Sequence, residues 1–232
     1  MDLTLKEANP MEKEKASVVP TLDAVLVVVV TFFLVIFLGA FFTLTLGTGP
    51  ALVISELLVL IVPMGYMLLK RVSIRSYITL EIKPKFILLG LGVGLFVLLI
   101  DIFVSGILTA IFGASQAVEE TNAIITSLST SPSGLIAVVT ALSLAGVCEE
   151  FAFRAFLQNT LNRRYSFVPA VIVSSVAFGI FHLDPQFVYT LAAIIMGLAL
   201  GYFYHRWNSY VVTAIAHSTV NLIVLAALLL AI

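Results

Sequence analysis

The sequence predicts an all-α, polytopic integral membrane protein of about seven transmembrane helices, the fifth of them short or broken. Three observations lead there. Hydrophobic residues make up 61% of the chain and charged residues only 11%, with a mean hydropathy of +1.15; ordinary soluble domains carry about 25% charged residues. Apolar runs recur at the length a helix needs to cross a bilayer, about 20 residues. Apart from Arg154 and three Lys near the N-terminus, Lys and Arg are confined to alternate loops between or at the ends of those runs. The net charge of −1 carries no information about partners, because the charges are sorted by position. Cys148 is the only cysteine, so no intramolecular disulfide can form.

The runs fall at roughly 21–46, 51–69, 86–112, 133–163, 167–181, 187–204 and 209–232. Residues 1–20 are polar and of mixed charge (Lys6, Glu7, Glu12, Lys13, Glu14, Lys15), and the first apolar run is too long for the h-region of a cleaved signal peptide. We expect 1–20 to be a cytosolic N-terminal tail and 21–232 a single transmembrane domain, since no fixed-period repeat or low-complexity linker divides it. Gly47-Thr48-Gly49-Pro50 reads as a tight first turn, and Ser131-Pro132-Ser133-Gly134 as a capped start of the fourth helix. The fifth run spans about 22 Å as helix, short of a hydrocarbon core of about 30 Å. It ends at His182-Leu183-Asp184-Pro185, where Pro185 cannot continue it. Broken backbone at membrane depth is tolerated only when buried in protein or lining a wet cavity.

Basic residues set the expected topology. The loop after the second run carries Lys70, Arg71, Arg75, Lys83 and Lys85; Arg163 and Arg164 follow the fourth, and Arg206 the sixth. The loops at 47–50, 113–131 and 182–186 have neither Lys nor Arg. By the positive-inside rule the basic loops and the N-terminus are cytoplasmic, and seven spans put the C-terminus outside.

Ionisable side chains within such spans are costly and therefore functional candidates. The fourth run carries Glu149 and Glu150 near its centre, followed by Arg154. Glu150 and Arg154 are four residues apart and can pair on one face. Glu149 points about 100° away and has no partner on its own helix. An unpartnered carboxylate suits general acid or base work, whereas Glu150 reads as structural. The fifth run ends Phe178-Gly179-Ile180-Phe181-His182, and the seventh carries His217-Ser218-Thr219-Val220-Asn221. Counted at 1.5 Å per residue from the basic ends, Glu149 lies roughly 21 Å in, His182 about 23 Å, His217 about 12 Å and Asn221 about 18 Å. A carboxylate, two imidazoles and an amide in one layer can activate water and stabilise an oxyanion.

Glu-Glu-x-x-x-Arg, Phe-x-x-x-His and His-x-x-x-Asn, on three successive motif-bearing helices, resemble the CAAX-prenyl endopeptidase and bacteriocin-processing family of intramembrane proteases. The resemblance covers about residues 133–225, which become the expected catalytic core. It implies that Glu149 activates the attacking water with help from His182, and that His217 and Asn221 serve the oxyanion. The family often has Gly after the Arg; Ala155 stands there in this chain. The implied activity is a glutamate-dependent endopeptidase acting on a membrane-associated, prenylated or precursor-peptide substrate.

Other readings compete with this one. Buried Glu, His and Asn also serve to hold helices together, and for Phe178 packing is the favoured reading. A proton-coupled transporter would use similar carboxylates but often shows internal repeats. A proteolytically silent immunity or regulatory protein would not need the full set. No cofactor is expected; the alternative is a zinc ion held by Glu149, His182 and His217, although no His-Glu-x-x-His helix is present. Cys148 has no cationic neighbour in sequence and reads as inert core. His205 reads as interfacial, with Trp207 and Tyr210 in an aromatic belt. Asp184 caps the helix break or approaches the cavity, and Glu56 and Asp101 are left outside the site. The expected partners are a peptide or membrane-protein substrate and the lipid bilayer, with no nucleic acid; the oligomeric state stays open.

Overall fold

The computed structural model describes residues 18–231. The tail expected over 1–20 therefore falls, as far as residue 17, outside the described residues, as does Ile232. The described chain runs through α1 (Thr21–Leu46), α2 (Thr48–Leu69), α3 (Pro84–Phe112), α4 (Gln116–Ser129), α5 (Pro132–Asn162), α6 (Phe167–Phe181), α7 (Val188–Trp207) and α8 (Tyr210–Leu230), with no strand among the described residues. Six of these helices are long and apolar enough to span a bilayer, and α6 is apolar but shorter, as its run predicts. The all-α polytopic class is thus borne out.

Two local expectations need correction. The first turn is Gly47 alone, at φ 87°, a left-handed conformation that glycine adopts without steric cost. Thr48 already opens α2, so Pro50 sits in its first turn, where the missing N–H has no partner to lose. The segment 113–131 is mostly helix: Ser115 accepts from the Val118 N–H at 3.2 Å and caps α4.

Burial divides the helices into two sets. Half of the span window of α5 and of α7 is buried, and 44% of that of α8, against 11% for α1, 17% for α2 and 22% for α3. The inner set is α5, α7 and α8, while α1 to α3 present residues such as Phe37, Leu44, Leu99 and Phe103 on the outside. Lipid tails are as apolar as leucine, so helices associate in a bilayer through close packing and interhelical hydrogen bonds. Small residues provide the approach. A Cβ on Gly146 of α5 would stand 2.2 Å from Ser218 Oγ and 2.7 Å from the Ala214 carbonyl of α8. On the far side of α8, a Cβ on Gly94 of α3 would come within 2.8 Å of the Ala216 carbonyl. The helix carrying His217 and Asn221 is thus held between α5 and α3.

The basic segments gather at one end of the bundle. Arg163 donates to the Ser76 carbonyl, Asn159 donates to the Tyr77 carbonyl and to Tyr204 Oη, and the Val19 N–H donates to Tyr77 Oη. At the opposite end the Gln116 N–H donates to Gln186 Oε1 at 2.6 Å, tying α4 to the loop between α6 and α7.

Candidate active site

The central feature is α5. Its first part, Pro132–Glu150, is α-helical, Phe151–Gln158 is π-helical, and Asn159–Asn162 completes it as α-helix. Every residue of the π stretch is buried. π-helical turns are rare and concentrate at functional sites, and here the stretch begins directly after the Glu pair. Neighbouring donors satisfy carbonyls in and around it: Tyr210 Oη donates to Val147 O at 2.6 Å, and Ser174 Oγ to Phe153 O at 2.7 Å. Tyr210 is therefore buried structure, not part of an aromatic belt. Trp207 is half-buried and stacks on Phe203.

Glu150 and Arg154 are both fully buried and pair at 3.3 Å, as their spacing predicts. The guanidinium also lies 4.8 Å from the centre of the Phe178 ring. Phe178 packs against His182 and His217 as well, so one aromatic ring spaces the cation from both imidazoles. His217 lies between the two carboxylates. Its Nδ1 is 3.4 Å from Glu150 Oε1, and its Nε2 is 3.9 Å from Glu149 Oε2. Arg154 already compensates Glu150, and Glu149 has no Lys or Arg partner among the described residues.

His182 caps the C-terminus of α6. Its Nδ1 lies 2.9 Å from the Phe178 carbonyl, which can only accept, so Nδ1 carries the proton and the neutral ring keeps a lone pair on Nε2. The loop beyond is held from below. Asp184 is buried and accepts from the N–H groups of Gln186 and Tyr189 at 3.1 and 2.8 Å. Thr190 Oγ1 accepts from the Asp184 N–H and donates to the His182 carbonyl. Of the two readings open for Asp184, the structure supports the cap. Asn221 Nδ2 donates to Leu142 O at 3.2 Å, which engages one amide hydrogen and leaves the other to donate elsewhere.

A cavity of about 380 Å³ brings Glu149, His182, His217 and Asn221 together. Glu149 is 9% exposed, and its Oε2 has no hydrogen-bond partner among the described residues. The amphipathic α4 covers part of the space with Val118, Thr121, Asn122 and Ile125. Glu56 of α2 and Asp101 of α3 also line it, which corrects their exclusion from the site. Each is a lone carboxylate on an apolar helix, a pattern that shows expense without showing direction. Cys148 is fully buried, in keeping with inert core. His205 stacks on Phe167 with ring centres 4.1 Å apart.

Among the described residues no group of three or more His, Cys, Asp or Glu side chains could hold a metal ion. Glu149, His182 and His217 share a cavity without forming such a group.

Residues 130–223 match the family model described as Type II CAAX prenyl endopeptidase Rce1-like. That segment is similar to this family. It runs from the start of α5 into α8 and contains all three motifs, so the resemblance read from them is borne out. The match supports a membrane protease. No curated protein and no solved structure matches the chain.

Proposed function

We propose that this chain is an intramembrane endopeptidase in which Glu149 is the general base for attack of water on a peptide bond of a membrane-associated substrate. The carrying observation is the Glu149 carboxylate, buried and unpartnered at Oε2 in a cavity shared with His182, His217 and Asn221. A water between Glu149 and His182 meets two acceptors, the carboxylate and the Nε2 lone pair, which orient both hydrogens and leave an oxygen lone pair for the carbonyl. Glu149 takes one proton as the C–O bond forms. The developing oxyanion then faces the free Asn221 N–H and His217, donors that act in the transition state. Glu150 holds the His217 ring from its other side, and Arg154 compensates Glu150. Collapse of the tetrahedral intermediate breaks the C–N bond, and the proton on Glu149 passes to the leaving amine.

The direct test is to incubate the purified full chain with a peptide library, locate cuts by mass spectrometry, and repeat the assay after exhaustive chelation. Cutting that survives chelation is the expected result. Cutting that is lost on chelation and returns only with added zinc would replace the water-and-carboxylate scheme with a metal-dependent one.

A further inference from the structure

The cavity has a charge pattern that the proposed chemistry does not require. Three carboxylates line it, Glu56, Asp101 and Glu149, and no Lys or Arg does among the described residues. Arg154 is fully buried behind it and committed to Glu150. Glu149 is nine-tenths buried with Oε2 unpartnered, and Glu56 Oε2 is likewise buried without a partner. Hydrolysis by the scheme above uses one carboxylate. The other two are costly at this depth, and no Lys or Arg shares the cavity to compensate them.

Their levels form a series. Gly49 of α2 abuts Ala137 of α5, and Gly94 of α3 meets the α8 backbone at the level of Gly146 of α5; counted from these contacts, Glu56 lies roughly 8 Å and Asp101 roughly 15 Å outward of Glu149. An extended peptide covers about 3.3–3.6 Å per residue, so the steps from Glu149 to Glu56 and to Asp101 are about two and four residues of substrate. We propose that Glu56 and Asp101 select a substrate carrying a Lys or Arg side chain about two to four residues from the cleaved bond. This rests on the endopeptidase reading of the site. A cation arriving there gains from both carboxylates in a cavity of low dielectric. A free carboxylate at that position finds no Lys or Arg in the lining to compensate it. A CAAX-type peptide ends in a carboxylate three residues beyond its Cys. This cavity is therefore suited to internal cationic segments over free C-termini.

The test uses synthetic peptides built on a sequence that the library assay shows to be cut. One pair carries Lys or norleucine three residues from the cut, and a second pair ends there as amide or free acid. Cleavage rates and fluorescence-anisotropy binding are measured with the full chain in nanodiscs. We expect Lys over norleucine, and amide over acid, by about tenfold each, with both ratios falling toward one in Glu56→Gln/Asp101→Asn. Ratios near one in the unaltered protein, which need no variant, would overturn the selection while leaving the protease reading intact. Ratios unchanged in a folded double variant would also overturn it. Should the library assay find no cut, the same pairs are built on one library sequence and tested for binding alone; a preference for Lys there would refute the endopeptidase reading and leave the charge selection standing.

Discussion

His217 and Asn221 share one face of α8, but their surroundings differ, and so do their expected sensitivities. His217 has a carboxylate on each side, whereas Asn221 has one amide hydrogen on the Leu142 carbonyl and the other available to the cavity. If that second hydrogen meets the oxyanion, Asn221→Ala lowers kcat by about 10²–10³ and leaves KM nearly unchanged. Steady-state kinetics on a cut peptide checks this; near-normal kcat in a well-folded variant would remove Asn221 from the chemistry. Much of this residue-level pattern was legible in the sequence. The four-residue spacing of Glu150 and Arg154 announced the pair, and the Pro185 break announced that His182 ends its helix. What one helix's spacing does not show is the cross-helix partner. Glu150 touches His217 as well as Arg154, and that contact depends on how closely α8 approaches.

That approach belongs to the helices. Gly146 stands one turn before the Glu pair, and any side chain there meets Ser218 Oγ and the Ala214 carbonyl at distances that cannot be accommodated in place. Gly146→Ala should displace α8 from α5 and separate His217 from both carboxylates. A misplacement of about 1 Å at a catalytic group can cost 10²-fold in rate, so a loss of that order is expected, along with a lower melting temperature. Gly92→Ala on the outer face of α3, where an added Cβ meets nothing within 4 Å, is the matched control and should change neither. A Gly146→Ala enzyme as active and stable as the control would mean that the close crossing does not position the site. The helix scale is also where sequence reading fell short. A search for apolar spans and Lys/Arg counts passes over a half-polar helix, so α4 went unseen, although the Ser115 cap, Glu119 and Glu120 near the start, and the apolar spacing of Val118 and Ile125 mark it. The π stretch has no such mark: Phe151–Gln158 could be ordinary α-helix by composition, and its geometry follows from packing on every side. Glu56 and Asp101 were visible as residues, but the rotation that turns them inward is set by how α2 and α3 pack.

At the scale of the whole molecule, the basic segments cluster at one end, and α4 with the Asp184 loop closes the other. We propose that the basic end is cytoplasmic, with the N-terminus there and the C-terminus outside. Single cysteines at Ser73 and Ala114, both exposed and at opposite ends, report this in a Cys148→Ala background. Ser73→Cys should label only once the membrane is opened to reagent from inside, and Ala114→Cys in intact cells; labelling of both from one side would overturn the orientation. The central claim concerns the division of labour inside the membrane between two adjacent carboxylates, and it is tested by comparing Glu149→Gln with Glu150→Gln for peptide turnover and thermal stability. The account predicts that Glu149→Gln loses about 10²–10⁴ in turnover while keeping its melting temperature. Glu150→Gln should lose stability, by about 3–5 kcal/mol, because Arg154 is left buried without its counter-charge. Turnover near the unaltered level in folded Glu149→Gln, or equal destabilisation by the two changes, would contradict it.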